Sequence, residues 1–207
     1  MKLTVLGSGT CIPTPTRNAP GYLLQANGRH LLVDCGSGIS RQLARAGYPC
    51  SALEGIFLTH LHPDHCADLV AIIQALQVGD RKDFAGRLLI GGDAAVGQYY
   101  RSSVGEWLGP VAFAIKLLDM RRPVVFEDIR IDTAPTVHME DGVSLAYRFI
   151  FKDKKIVFTG DAEYSEALSR FAAGADLLVA DCSSLARDKR TGHMSAKDCG
   201  LLAREAR

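Results

Sequence analysis

Residues 59–68 read Thr-His-Leu-His-Pro-Asp-His-Cys-Ala-Asp, a stretch rich in side chains that can bind metal ions. Its four potential metal ligands, His60, His62, Asp64 and His65, lie between an apolar run (55–58) and a segment of helical composition (67–76). A strand end that leads into a helix is the usual place for a site in an α/β protein. Imidazole and carboxylate suit zinc, manganese or iron. The alternative is a polar loop that caps a helix.

Composition points to an ordinary globular chain. Its 207 residues, 47% hydrophobic and 23% charged, fit one medium domain, and its net charge of +1 gives no field that would attract nucleic acid or a membrane surface. Six scattered cysteines form no C-x-x-C pair, which favours reduced thiols in a cytoplasm. The start enters a strand without a signal peptide, and no apolar run reaches transmembrane length. We expect a cytoplasmic protein, and a homodimer is compatible with the sequence.

The pattern of apolar residues and turn residues predicts alternating strands and helices. A hairpin with a type I′ turn at Asn27-Gly28 is followed by a helix over 39–46, and the helix of the histidine stretch ends near Gly79-Asp80. Mixed signals over 93–110 favour a helix. The other predicted strands are 3–6, 55–58, 87–90, 111–118, 124–131, 143–151, 156–159 and 177–180, and the other helices are 165–173 and a last one that starts at a capping box, Ser195 and Asp198. Such a pattern predicts an α/β fold with two sheets and helices outside them.

The H-x-H-x-D-H pattern after a hydrophobic strand resembles the signature of the metallo-β-lactamase superfamily. His138, at the end of an extended segment, and Asp161, at the end of a strand in Phe158-Thr159-Gly160-Asp161, resemble later motifs of the same superfamily. The resemblance implies one domain over residues 1–207 with an αββα sandwich fold. In that fold two mixed β-sheets lie face to face, with helices on both outer faces and the site at one edge of the sheets.

Ligand roles follow from the resemblance. It implies that His60, His62 and His138 hold one metal ion, that Asp64 and His65 hold a second, and that Asp161 bridges the two, with zinc expected and manganese or iron as alternatives. A hydroxide between such ions would be the nucleophile, and Asp64 would help to orient it. Asp34 is expected to steady the ligand loop, although it would also fit as a turn-capping aspartate. We interpret Cys66 as a buried helix residue and not as a nucleophile.

Two further stretches resemble ribonuclease Z. Residues 13–18 match its P-x-K-x-R-N loop except at Pro15, which implies that Arg17 and Asn18 bind substrate. Thr191-Gly192-His193-Met194-Ser195 matches its G-H-M-[ST] element, whose histidine lies by the scissile phosphate. Asp181 lies where that family has a carboxylate, and could pair with His193 and fix its tautomer. His193 would then donate a proton to the leaving oxygen.

The tRNA-processing members of that family carry an inserted arm, and this chain has no room for one. Only 22 residues separate His138 from Asp161, and 31 separate Asp161 from His193. We therefore expect a dinuclear metal hydrolase that cleaves a small phosphodiester and not tRNA. The alternatives are a metal hydrolase of an ester, lactone, thioester, sulfate ester or β-lactam, and a non-catalytic metal-binding member of the fold.

A last expectation concerns the C-terminal end. The superfamily pattern places a further histidine ligand of the second metal on a strand after the last helix, and no histidine follows His193. We therefore expect that the 207 residues lack that strand and that ligand. If so, the Asp64/His65 metal should be weakly held, which metal counting would test.

Overall fold

The computed structural model describes residues 1–79, 86–140 and 142–207, and the chain divides into two compact units, Met1–Asp119 and Met120–Arg207. The described part contains eleven strands and seven α-helices. No helix within it is long and apolar enough to cross a membrane.

The first unit is built on a mixed six-stranded sheet with strands in chain order. Strands β1 and β2 are antiparallel, as are β2 and β3, whereas β3 to β6 run parallel. The strands are β1 (Lys2–Gly7), β2 (Gly21–Ala26), β3 (Arg29–Val33), β4 (Gly55–Phe57), β5 (Arg87–Gly92) and β6 (Ala114–Asp119). Positive φ angles at Asn27 and Gly28 confirm the predicted type I′ turn between β2 and β3.

Helices connect the parallel strands and cover an apolar core. They are α1 (Ile39–Arg45), α2 (Pro63–Cys66), α3 (Asp68–Val78), α4 (Ala94–Tyr99) and α5 (Gly105–Leu108), with a π-helical turn, Tyr100–Val104, between the last two. The fully buried Leu23, Ile39, Ile56 and Ile72 belong to one cluster. The helix predicted over 93–110 is confirmed, and Asp80, given as an end of α3, lies outside the described residues.

The second unit has a mixed five-stranded sheet in the order β11-β10-β9-β8-β7. Its antiparallel strands are β7 (Val124–Phe126), β8 (Ile129–Thr136), β9 (Ser144–Phe151) and β10 (Lys154–Phe158), and β11 (Leu177–Val179) runs parallel to β10. Helices α6 (Glu166–Ala172) and α7 (Ala196–Glu205) pack with the buried Leu168 and Leu202 in a second cluster. The predicted capping box of Ser195 and Asp198 is present at the start of α7.

One strand prediction was wrong. Residues 124–131 form two strands of a hairpin and not one strand, because the chain reverses at Glu127, whose φ is +54°, and Asp128. Residues 124–131 are predicted as one strand because apolar residues lie on both sides of this turn. The predicted α/β class with two mixed sheets is confirmed.

Candidate metal centre

In the first unit, parallel strands bring Asp34 next to the histidine stretch. Asp34 follows β3 and Thr59 follows β4, so both emerge at the same edge of the sheet. The Asp34 amide donates to Phe57 O at 2.9 Å, and the Cys35 amide donates to His65 O at 2.8 Å. These backbone bonds fix the two loops against each other.

The buried Asp34 carboxylate organises the ligand loop. It accepts hydrogen bonds from Thr59 N at 2.8 Å and from Thr59 Oγ1 at 3.0–3.1 Å. It also accepts a 2.8 Å bond from His65 Nδ1. Turn capping and support of the ligand loop were the two predicted roles of Asp34, and its side chain makes these contacts to the loop from a left-handed backbone with φ +57°.

The tautomers of the histidines in this unit follow from these contacts. A carboxylate can only accept, so His65 carries its proton on Nδ1 and its lone pair on Nε2. Because the Thr59 hydroxyl donates to Asp34, His60 Nδ1 donates to Thr59 Oγ1, 3.0 Å away, and the His60 lone pair is also on Nε2. A carboxylate or hydroxyl on the other ring nitrogen is the usual support of a metal-binding histidine.

His60 and His62 are placed as a ligand pair. His60 Nε2 and His62 Nδ1 lie 3.0 Å apart. Two nitrogens on a tetrahedral ion with bonds of 2.0–2.1 Å would be about 3.3 Å apart. The donors in this unit therefore fit a zinc-like cation.

Asp64 borders a cavity of ≈ 520 Å³ that contains both residues predicted to bind substrate. Arg17 and Asn18 line it together with Asp64. The Asn18 amide is held by the protein, since Nδ2 donates to Gly38 O at 3.4 Å and Oδ1 accepts from Gln42 Nε2 at 3.0 Å.

In the second unit, the ends of three strands meet at one edge. Since β9 is antiparallel to both β8 and β10, β8 and β10 run in the same direction, and β11 is parallel to β10. His138, Asp161 and Asp181 follow β8, β10 and β11 in turn. The Asp161 carbonyl accepts from Thr136 Oγ1 at 3.4 Å and from Ser144 Oγ at 3.3 Å, which fixes the Asp161 backbone at this edge.

The loop before α7 contacts His138 through Gly192. His138 Nδ1 donates to Gly192 O at 2.9 Å, which places the imidazole lone pair on Nε2, 3.7 Å from Asp161 Oδ2. The Gly192 amide donates to Glu163 Oε1 at 2.6 Å. Gly192 has φ +79°, and a Cβ there would lie 2.9 Å from His138 O.

His193, on the same loop, is paired with Asp181 as predicted. His193 Nδ1 lies 2.8 Å from Asp181 Oδ2 and 3.0 Å from Ser183 Oγ, which donates to Asp181 Oδ1 at 2.6 Å. Asp161, Asp181 and His193 each offer one ligand atom within 4.8 Å of the others. The basic residues nearby are partly neutralised, since Arg187 pairs with Asp188 and Lys189 with Asp198.

Cys66 is not placed as a nucleophile. Its side chain is buried, and its Sγ donates to Leu61 O at 3.5 Å. Burial, with help from Asp34 and Asp64, raises the pKa of the Cys66 thiol to about 11.

The sequence did not predict the contacts that Thr59, Glu163 and Gly192 make at the site. Thr59 precedes the ligand pattern and could have been found by asking what holds Nδ1 of His60. The contact of Glu163 could not be predicted from local sequence, because Glu163 lies 29 residues from Gly192, whose amide it binds. The roles predicted for each ligand, and the missing C-terminal histidine, stay predictions.

Comparison with known proteins extends over nearly the whole chain. The model of the metallo-β-lactamase superfamily matches residues 15–198. The probable metallo-hydrolase YhfI of Bacillus subtilis is 30% identical over 214 residues, which cover 100% of this chain and 83% of that protein. A ribonuclease Z of Brevibacillus brevis is 28% identical over 263 residues, which cover 100% of this chain and 82% of that protein.

A solved structure agrees with the sequence relatives. The crystal structure of the metallo-β-lactamase fold protein YhfI superimposes with a TM-score of 0.86 at 29% identity, covering 99% of this chain and 81% of that one. The strand-end site residues and these matches lead to one conclusion: this chain belongs to the metallo-β-lactamase superfamily and has its fold.

Proposed function

We propose that this protein is a metal-dependent hydrolase of a small phosphodiester. The observation that carries the phosphate assignment is the Asp181–His193 pair at 2.8 Å, because a hydrolase of activated esters or lactams has less need of a positioned proton donor. Nδ1 of His193 donates to Asp181, so it is the imidazolium form that acts: it gives its Nε2 proton to the leaving oxygen and becomes the neutral ring with its proton on Nδ1.

The remaining site residues would hold two divalent cations, with zinc expected. His60, His62 and His138 would bind one, Asp64 and His65 the other, and Asp161 would bridge them. Such ions supply a Lewis acid for the phosphoryl oxygens and lower the pKa of water to about 7. The tautomers of three of these histidines support metal binding. Nδ1 of His60 is hydrogen-bonded to Thr59, Nδ1 of His65 to Asp34, and Nδ1 of His138 to the Gly192 carbonyl, which leaves each Nε2 for a metal ion.

Four side chains have further roles around the ions. Asp34 keeps the His65 ring in orientation, Asp64 orients the attacking water, and Arg17 and Asn18 contact the substrate from the cavity beside Asp64.

We propose that tRNA is not a substrate of this protein. The match to ribonuclease Z extends over 263 positions against the 207 residues of this chain, whereas the match to YhfI extends over 214. Part of the matched region of that ribonuclease Z therefore has no counterpart in this chain. Formal charge of +1 gives no strong general attraction for RNA.

A substrate panel tests the proposal. Bis-p-nitrophenyl phosphate, p-nitrophenyl acetate, a lactone and nitrocefin are assayed with and without chelator. We expect chelator-sensitive hydrolysis of the phosphodiester above the others. Preference for another substrate would indicate a hydrolase of esters, lactones or β-lactams instead. Metal binding without turnover of any substrate would indicate a non-catalytic member of the fold.

The Asp161→Ala variant tests the bridge. We expect loss of metal and of phosphodiester hydrolysis together, because one carboxylate serves both ions. Asp153→Ala, at an exposed carboxylate in the turn between β9 and β10, is the matched control and should keep both. Full activity and metal content in Asp161→Ala would contradict the assignment.

A further inference from the structure

The cavity beside Asp64 has the size of a small-molecule site. Its volume of ≈ 520 Å³ lies within the range of about 300–1,000 Å³ that is typical of ligand pockets. Every residue that lines it belongs to the first unit, and most of them come from the loop between β1 and β2. The proposed function gives Asp64, Arg17 and Asn18 a role there, but it does not say which part of the substrate fills the cavity.

The walls of this cavity are fixed before any ligand binds. The Gly9 amide donates to Asn18 O at 2.7 Å, and the Arg17 amide donates to Thr14 Oγ1 at 3.1 Å, so the loop is closed across its base. Behind it, a Cβ on Gly36 would lie 1.8 Å from Asp64 O, which shows how closely the backbones approach. A preformed pocket of this kind loses little conformational entropy on binding.

Arg17 gives the cavity a positive charge. Its side chain is exposed and lines the space, and no ion pair joins its guanidinium to a carboxylate in the parts of the chain that the structure describes. The other charged group of the lining is Asp64, which the proposed function assigns to a metal ion. An unpaired guanidinium that faces such a pocket is suited to a planar or tetrahedral anion.

The remaining lining narrows the ligand class. Thr10, Thr14 and Ser37 bring hydroxyl groups, and Pro63 and Ala67 bring small apolar surfaces. No aromatic ring is among the described residues that line the cavity, so a nucleobase would have no stacking surface there. The lining is therefore suited to a short aliphatic or hydroxylated chain that ends in an anion.

We propose that the cavity binds the non-reacting arm of the phosphodiester, and that this arm carries a second anionic group, a phosphate, phosphonate or carboxylate, held by Arg17. This inference rests on the proposed function. It adds a substrate class: small diesters with a terminal anion, selected over neutral diesters and over nucleotides.

Two substrates that differ only in the terminal group of the arm, a hydrogen or a phosphonate, test it. Propyl p-nitrophenyl phosphate and 3-phosphonopropyl p-nitrophenyl phosphate release the same chromophore, so kcat/KM reports the arm alone. We expect the wild type to prefer the phosphonate by about tenfold, the effect of one charge-assisted contact. Arg17→Gln should abolish the preference, so that the variant hydrolyses the two substrates with kcat/KM values that agree within about twofold.

Two variants separate this contact from general charge. Arg17→Lys keeps the charge and should keep part of the preference. Arg41→Gln, at an exposed arginine on α1 that does not line the cavity, removes one charge from the same unit and should keep all of it. Equal kcat/KM of the wild type for both substrates would overturn the inference. An equal effect of Arg17→Gln and Arg41→Gln on the preference would also overturn it. Release from neither substrate would overturn the proposed function, and this inference with it.

Discussion

His193 is the residue on which the proposed leaving-group chemistry depends, and Asp181 sets its orientation. The ring is held by a 2.8 Å contact from Nδ1, while Ser183 donates to the other carboxylate oxygen. His193→Ala should lower kcat by about 10²–10⁴, the usual contribution of a positioned acid, and leave the metal content unchanged. Turnover of a phosphodiester with an unactivated alcohol as the leaving group, which needs the proton, and metal content are measured on the same preparation.

The Asp181→Asn variant asks whether the two residues act as one unit. If Asp181 acts only through His193, the double variant should be no slower than His193→Ala alone, because groups that act together are not additive. Additive losses would show that Asp181 has a separate role. Loss of metal in His193→Ala would show that this histidine is a ligand.

Gly192 tests how tightly the loop before α7 is fitted to His138. Gly192→Ala places a Cβ 2.9 Å from His138 O at a φ of +79°, where a left-handed residue with a side chain costs about 1–2 kcal/mol. We expect the free energy of unfolding, measured in urea, to fall by about this amount. We also expect kcat to fall by a larger factor than in the control variant. Gly174→Ala is the control, because it has φ +69° but its nearest neighbour would be Lys155 Nζ at 3.4 Å. Equal turnover in the two variants would contradict the role given to Gly192.

Among the elements of the first unit, the ends of β3 and β4 hold the histidine stretch in place. Asp34→Asn keeps the left-handed backbone, which asparagine tolerates, but removes the charge that orients Thr59 and His65. We expect metal affinity to fall by about 10–100-fold, the usual effect of removing such support, in a competition with a chromophoric chelator.

The control for this variant lies at the other end of β4. Glu54→Gln removes a carboxylate that pairs with Arg29 at 2.6 Å, without touching the ligand loop, and should leave affinity unchanged. An Asp34→Asn protein with wild-type affinity would favour plain turn capping.

Strands β8 and β9 are joined by a charged group within the sheet. Arg148 Nη2 on β9 donates to Asp132 Oδ2 on β8 at 2.8 Å, and Arg130 Nε donates to Asp132 Oδ1 at 2.8 Å. Burial alone would raise the pKa of Asp132, but the bonds from Arg148 and Arg130 outweigh it and lower the pKa. Asp132→Asn should cost about 1.5–3 kcal/mol of stability at neutral pH, the range for hydrogen bonds to charged groups.

The acid dependence of Asp132 follows from the direction of its shift. A carboxyl whose pKa is lower in the folded state stabilises the fold above its unfolded pKa, and this contribution is lost as the pH falls through the folded value. The difference between wild type and Asp132→Asn should therefore shrink in acid. Urea titrations at several pH values measure it, and a difference that grows in acid would contradict this account.

At the scale of the whole molecule, metal binding should appear as stability. A ligand that binds only the folded protein at 100 times its Kd adds about 2.7 kcal/mol to the unfolding free energy. We expect zinc to raise, and chelator to lower, the thermal midpoint of the wild type. Asp161→Ala should respond less, and an identical response would place the bound zinc elsewhere.

Much of the fold could be predicted from local pattern. The hairpin turn at Asn27-Gly28, the capping box of α7 and the helix after the histidine stretch depend on neighbouring residues, whose preferences are written in the chain. The hairpin of β7 and β8 could not be predicted this way. Its turn residues, Glu127 and Asp128, carry no glycine, and the positive φ of Glu127 is maintained by the pairing of the strands on either side.

Strand and helix periodicity in the sequence predicted the α/β class, and motifs that resemble those of the superfamily predicted the family and the candidate ligands, because both signals depend on residue type and spacing. Only the tertiary structure decided that Glu163 holds the Gly192 amide, that Thr59 fixes the tautomer of His60, and that Arg17 shares a cavity with Asp64. Arg17 and Asp64 are 47 residues apart along the chain. Contacts over such distances arise from strand order and close backbone packing, and no local preference encodes them.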